Sequence, residues 1–242
     1  MNPTARSVLV VVAHPDDAEL AMGMQMLAHA RAGDRVRVHC LTTGHPDDSD
    51  ARRSECLAAA KILGVTGYTF SAIPDTRFVE HRGRINADLF TAFAKDRPDI
   101  VYTHFPDDQH LDHAITGEET TTVALREAND LIYFRSPYSR NFEPNQFFTG
   151  TPDLLAAKEA ALRCFTSQQQ LDMDVFRTLT AIAYRQHMHH RVVERLPNGT
   201  HGAEMFRTAR QIIHATTSPR SCHCTRRRSS GARLEKDRGS PS

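Results

Sequence analysis

One stretch near the amino end limits what this chain can become: residues 7–19 read SVLVVVAHPDDAE. Residues 8–13 are apolar without interruption, the pattern of a strand buried on both faces. The run stops at His14-Pro15-Asp16-Asp17, and Leu20, Met24, Leu27 and Ala28 then recur at helical spacing. Open α/β sheets bind ligands at the carboxyl ends of their strands. An imidazole and two carboxylates therefore stand at the predicted chemical end of the fold. A nucleotide is excluded there. No Gly-x-Gly-x-x-Gly falls between Ala13 and Gly23, and paired carboxylates at a helix start repel the phosphate that would need that place.

Downstream, strands and helices alternate. Residues 35–41 alternate like a second strand, 51–63 read as a helix closed by Gly64, and 68–72 as a short third strand. A helix is predicted over 85–95, a fourth strand over 100–103, a helix over 114–127 and a fifth strand over 131–135. Residues 140–149 read as loop or edge strand. Residues 153–165 read as a helix with Thr151 as N-cap and Pro152 at its first position, and 178–188 as a further helix. This order predicts a doubly wound, mainly parallel sheet flanked by helices, with strands in the order 3-2-1-4-5, in one domain over residues 1–215.

From residue 216 the composition turns to Ser, Pro, Gly and Arg, which cannot bury enough surface to offset its ordering entropy; the tail over 216–242 is expected to be disordered. It holds seven basic and two acidic residues, so the chain's +1 becomes −4 for the body. A body of that charge offers no surface for nucleic acid. No apolar run approaches the ~20 residues of a membrane span. The amino end has no signal-peptide pattern, and five scattered cysteines make no disulfide framework, so a reduced, cytoplasmic protein is expected.

In the predicted strand order the first and fourth strands are neighbours. The first ends at His14, Asp16 and Asp17; the fourth leads into His110-Leu111-Asp112-His113. Two histidines and a carboxylate are a common catalytic metal set, because they leave a coordination position open for water. The remaining carboxylate and imidazole groups are then free to move protons. Other chemistry-bearing residues read as surface: a second His45-Pro46-Asp47-Asp48, the loop pair Asp107-Asp108 with Asp108 on the side of the site, the run His187, His189 and His190, and the tail's Cys222-His223-Cys224.

The motifs over residues 13–20 (AHPDDAEL) and 110–113 (HLDH) resemble the two signatures of the LmbE-like, or PIG-L, de-N-acetylases. Weaker agreement runs through residues 52–65, Pro74-Asp75, residues 142–147, Ser167-Gln168, Arg191, and Ala203-Glu204 with Phe206. The chain departs from the family pattern at Ala21-Met22-Gly23-Met24, where many members are glycine-rich, and at Gly202, where a tyrosine is usual. The resemblance implies a Rossmann-like zinc-dependent amidohydrolase, with ferrous iron as the other candidate metal. Its substrate would be an N-acetylglucosamine-type conjugate in the biosynthesis of a thiol cofactor or an antibiotic. It implies His14, Asp17 and His113 as metal ligands and Asp16 as general base. His110 would stabilise the oxyanion or protonate the leaving amine, oriented by Asp112, and Arg52 would touch substrate. The partner is thus a small N-acetyl amino sugar, with no nucleic acid or membrane, and a homo-oligomer is left open. The rival readings are a metal-dependent hydrolase of another amide or ester, and a non-catalytic sugar- or metal-binding homologue.

Overall fold

The computed structural model describes residues 5–168 and 172–213, so the predicted tail lies outside the described residues. Seven strands form one sheet: β1 (Ser7–Val12), β2 (Arg35–Cys40), β3 (Gly67–Phe70), β4 (Ile100–His104), β5 (Asp130–Phe134), β6 (Gln146–Gly150) and β7 (Gly202–Arg210). Their order is β3-β2-β1-β4-β5-β7-β6. The first five run parallel, and β7 and β6 complete the sheet antiparallel. The helices are α1 (Asp17–Ala32), α2 (Ser49–Leu63), α3 (Arg82–Asp96), α4 (Leu111–Glu127), α5 (Pro152–Leu162) and α6 (Met173–Ile182).

β1 is the middle of this sandwich, and its sequence explains why. Val8, Val10 and Val12 enter one core with Met22, Met26, Leu63 and Phe165. Leu9, Val11 and Ala13 enter the other with Phe78, Leu89, Phe93 and Val123. Successive residues of a strand face opposite sides, so only an unbroken apolar run can serve two cores. Each such side chain contributes ~1.5–3 kcal/mol on burial.

Two features of the packing create the crevice. α1 crosses from β1 to β2 on one face, while α4 crosses from β4 to β5 on the other, so the carboxyl ends of β1 and β4 diverge. α4 can lie against the end of β4 because residue 117 is glycine: a Cβ there would stand 2.5 Å from the His104 carbonyl oxygen.

Three departures from expectation bear on the site and the sheet. α4 begins at Leu111, three residues earlier than its periodicity predicts, which puts Asp112 and His113 in the first helical turn. α6 begins at Met173, five residues early, and gives way to a 3-10 turn over Ala183–Gln186. β7 was not anticipated as a strand. Its buried half, Gly202 to Phe206, is apolar except for Glu204, and neither strand alternation nor helical spacing survives in it.

Glu204 explains a further irregularity. At Met22 the backbone of α1 leaves helical geometry (φ −145°, ψ 29°). The Met24 and Gln25 amides donate to the Glu204 carboxylate at 2.9 and 2.8 Å. Lys158 Nζ donates to the same group at 2.8 Å, and both side chains are buried. A Cβ on residue 23 would come within 2.9 Å of Lys158 Cγ, so Gly23 makes room for the pair and the Ala21-Met22-Gly23-Met24 segment fits as a unit. Breaking a buried pair by removing one member costs ~3–5 kcal/mol. At roughly 2–4 °C per kcal/mol for a chain of this size, Glu204→Ala is expected to lower the thermal midpoint by about 10 °C. An unchanged midpoint would remove the pair from the list of what holds β7 to α1.

Candidate metal centre

The centre starts from a backbone irregularity. Asp16 is buried and adopts φ 88°, ψ −25°, a left-handed conformation that costs a non-glycine residue ~1–3 kcal/mol. The turn sends adjacent carboxylates different ways. Asp17 folds back, accepting from the His14 amide at 2.8 Å, with Oδ2 3.4 Å from His14 Nδ1 and Oδ1 3.5 Å from His113 Nε2. Asp16 takes no part in these contacts and lies in the field of Arg52.

His14 Nδ1 and His113 Nε2 approach to 3.2 Å. Each ring is oriented from behind. His14 Nε2 lies 3.2 Å from Asp75 Oδ1 and 3.4 Å from Asp112 Oδ2, which keeps its proton there and frees Nδ1. His113 Nδ1 faces Asp108 Oδ1 at 3.6 Å. Asp108 is itself anchored by Ser136 Oγ at 2.5 Å, Ser139 Oγ at 2.8 Å and the His110 amide at 2.8 Å. Carboxylates behind imidazoles are the usual outer support of metal-ligating histidines. With bonds of ~2.0–2.1 Å, ligands of a tetrahedral ion stand ~3.3 Å apart; the 3.2–3.5 Å contacts among His14, Asp17 and His113 match. The residues fit a small divalent cation. Overlapping groups also come within reach of one ion: His14, His110 and His113; Asp17, His104 and His113; and His14, Asp75 and Asp112.

Protonation follows from burial and neighbours. Burial opposes charge on His14, but hydrogen bonds to Asp112, Asp17 and Asp75 outweigh it and hold the ring's pKa well above the ordinary value. His113 rises to about 9 against its burial, because Asp17 and Asp108 flank it. Burial also resists ionisation of Asp17, yet His113 and His104 pull its carboxyl well below the usual range. Asp16 goes the other way: burial, then Asp17 and Glu19, push it well up.

All seven predicted site residues except Arg52 lie on the β1 and β4 turns, and five of them join the hydrogen-bond and ring contacts. His110 stacks on His113 (4.4 Å between centroids, 18°) and meets His14 edge-on at 4.8 Å. Its expected partner differs. The Asp112 carboxylate turns to His14 and accepts from the Thr76 amide at 2.8 Å. Burial, then His113 and His14, depress the His110 pKa and favour the neutral ring. Arg52, on α2, lies beneath Gly44 and acts electrostatically on Asp16 and Asp75. The second His-Pro-Asp-Asp is exposed at His45 and Asp47.

Sequence reasoning missed three neighbours and undervalued a fourth. His104, the last residue of β4, is fully buried, sits with Nε2 3.1 Å from Asp17 Oδ2 and stacks on His113 at 4.2 Å. Asp75 faces His14, and the exposed Tyr138 sets its ring 6.0 Å from that of His110. Asp108 belongs behind His113 and not on the surface. Two of these had a readable signal: His104 as an imidazole ending a buried strand beside β1, and Asp75 in the Pro74-Asp75 pair that agrees with the family.

Residues 9–124 match the family model described as PIG-L, GlcNAc-PI de-N-acetylase. Over that span, just under half of the chain, the sequence is similar to the PIG-L (LmbE-like) family. Among its relatives, 4-oxalmesaconate hydratase of Pseudomonas putida is 27% identical over 209 residues, covering 71% of this chain and 77% of that one. The 1D-myo-inositol 2-acetamido-2-deoxy-alpha-D-glucopyranoside deacetylase of Acidothermus cellulolyticus is 31% identical over 163 residues, covering 52% of this chain and 56% of its own. The N,N'-diacetylchitobiose deacetylase of Pyrococcus horikoshii shares the fold, with a TM-score of 0.66 at 22% identity over 85% of this chain and 84% of that one.

The protonated rings give a test of metal binding. At pH 7 the metal-free centre carries protons on His14 and His113, and an ion must displace them. Zinc affinity is therefore expected to rise with pH up to about 9, with close to two protons released at neutral pH. Metal-free stability runs the opposite way. A raised histidine pKa stabilises fully below the unfolded value of about 6.5, and that contribution is lost as pH rises through about 9. Calorimetry in buffers of different ionisation enthalpy measures the proton count; an affinity indifferent to pH would count against these two ligands.

Proposed function

We propose that this chain is a divalent-metal-dependent N-deacetylase that hydrolyses the acetamide of an N-acetylglucosamine-type conjugate, in the making of a small molecule such as a thiol cofactor or an antibiotic. The observation that carries the reading is the convergence of His14, Asp17 and His113 at 3.2–3.5 Å, with Asp16 beside them and outside their contacts. Those three side chains hold the ion, zinc or ferrous iron. A bound divalent ion lowers the pKa of water and polarises a carbonyl.

The remaining steps belong to the chain's own groups. Asp16, as a carboxylate made more basic by burial, accepts the proton of the attacking water. The water oxygen bonds to the acyl carbon and the C–N bond breaks. His110, neutral, donates an N–H to the oxygen as it becomes negative. The proton held on Asp16 then passes to the leaving amine, so acetate and the free amine result. Asp112 and Asp75 keep His14 turned to the ion, and Arg52 receives substrate hydroxyls at the crevice mouth.

The hydratase relative favours a second reading, addition of water to a carboxylate-bearing alkene. Both reactions require an activated water. The walls weigh against the second: Asp16, Asp75 and Asp112 crowd the crevice, with Arg52 acting on two of them. A neutral acetamide meets no repulsion there; a polycarboxylate does. Metal-loaded protein offered N-acetylglucosamine conjugates, simple acetate esters and 4-oxalmesaconate is expected to release acetate from the sugars. Asp16→Asn is expected to keep the metal and lose roughly 10²–10⁴ in kcat. Hydration of 4-oxalmesaconate, or ester cleavage, without any acetate from the sugars would overturn the reading.

A further inference from the structure

A cavity of about 280 Å³ reaches Asp17 and His104. Its walls are mostly apolar: Leu20 and Ala21 from α1, Phe134 from β5, Phe176 and Leu179 from α6, and Met205 from β7. Asp17 and His104 form its inner end, so the predicted ion position and the cavity share one wall. Its buried charges are already satisfied. Glu204 accepts from Lys158 and two backbone amides, and Ser136 donates to Asp108; the one further cation of the lining, Arg135, is exposed. Apolar cavities of ~150 Å³ hold a benzene ring in place of water. A space of about 280 Å³ is far more than the single methyl of an acetyl group fills.

We propose that this cavity takes the acyl side of the scissile amide, and that the enzyme removes medium-chain acyl groups, up to about eight carbons, as well as acetyl. The inference rests on the amide-hydrolase reading and extends it. An amide carbonyl at the metal centre has two substituents, the amine and the acyl carbon. The side of the centre bearing Asp75, Asp112 and Arg52 is polar and suits the hydroxyls of an amino sugar. The Leu20, Ala21 and Phe134 side is apolar and suits a hydrocarbon. A chain threaded past Asp17 therefore leaves the sugar where its hydroxyls find partners. The bond changes are those of deacetylation: water oxygen to acyl carbon, C–N bond broken, proton to the amine, and a fatty acid released in place of acetate.

The test has a turnover arm and a binding arm. N-acetyl-, N-butanoyl- and N-octanoylglucosamine are compared with octyl N-acetylglucosaminide, which carries the same chain on the opposite side. Burying one methylene is worth ~0.8 kcal/mol, about fourfold at 1.36 kcal/mol per decade. Even with much of that lost to chain ordering, kcat/KM is expected to rise at least tenfold from acetyl to octanoyl, through KM. Ala21→Phe, which fills the cavity, is expected to abolish that gain while acetyl turnover stays within about twofold; Phe176→Ala is expected to move the preference to longer chains. Where Ala21→Phe fails to fold, Thr180→Phe fills the space from α6.

The binding arm uses octanoate and calorimetry, with no turnover required. Octanoate is expected to bind the wild type at least tenfold more tightly than acetate, and Ala21→Phe to lose the difference. Acetyl turnover with no gain for octanoyl would overturn the inference and leave the deacetylase reading standing. A gain confined to the octyl glycoside would assign the cavity to the aglycone and overturn it too. Should no amide be cleaved at all, the deacetylase reading fails, and octanoate binding alone then decides whether the cavity takes an alkyl chain.

Discussion

The turn at Asp16 is the constraint on which the centre depends. The Asp17 carboxylate reaches back to the His14 amide across a turn that regular strand or helix backbone does not make. A left-handed residue breaks that regularity, and here it is an aspartate, with nothing of glycine's freedom. The strain of ~1–3 kcal/mol is held by the two cores that clamp β1 on one side of the turn and α1 on the other. What results is a division between adjacent residues: Asp17 is committed to three imidazoles, and Asp16 is kept out of their reach.

Those imidazoles form a stack, His104 on His113 on His110, with centroid spacings of 4.2 and 4.4 Å. Three charged rings could not pack so closely. The stack holds because its outer members stay neutral: burial brings His104 down to about 4 and depresses His110 as well. The central ring alone gathers charge, from Asp17 and Asp108. A divalent ion placed between His14 and His113 replaces those protons with a fixed positive charge of the same sign in the same place. The carboxylates around the centre thus serve both conditions, which is why the protein can be assembled before the ion arrives.

Most of the sheet was legible because β1 has one reading: a run that is apolar at every position must be central, and a central strand followed at once by a helix must be parallel to its neighbours. The meeting of the two turns was legible for the same reason, since strand order alone brings the turn at His14 to the turn at His113. What escaped were residues whose role depends on direction. Asp112 stands two residues from His110, but α4 begins at Leu111, and the helical turn carries its carboxylate to His14. Asp108 reads as loop because nothing in its own segment reveals that Ser136 and Ser139 will cover it. β7 was lost because its register is enforced by the strands on either side and by Glu204 reaching α1, contacts separated by 180 positions in the chain.

The same division of labour accounts for a family that includes both deacetylases and a hydratase. In the proposed reading the centre contributes one thing, a water made reactive, and the electrophile delivered to it is the substrate. Delivery belongs to the walls, and in this chain the walls come from elements of different kinds. The polar side is built on loops after β1, β3 and β4, close to the ligands and constrained by them. The apolar side draws on α1, β5, α6 and β7, and of these α6 carries no member of the polar cluster. α6 leaves Val175, Leu179 and Ile182 half exposed, so its sequence is not dictated by the core. Selectivity for what is attached to the carbonyl can therefore drift on that side while the chemistry stays fixed on the other.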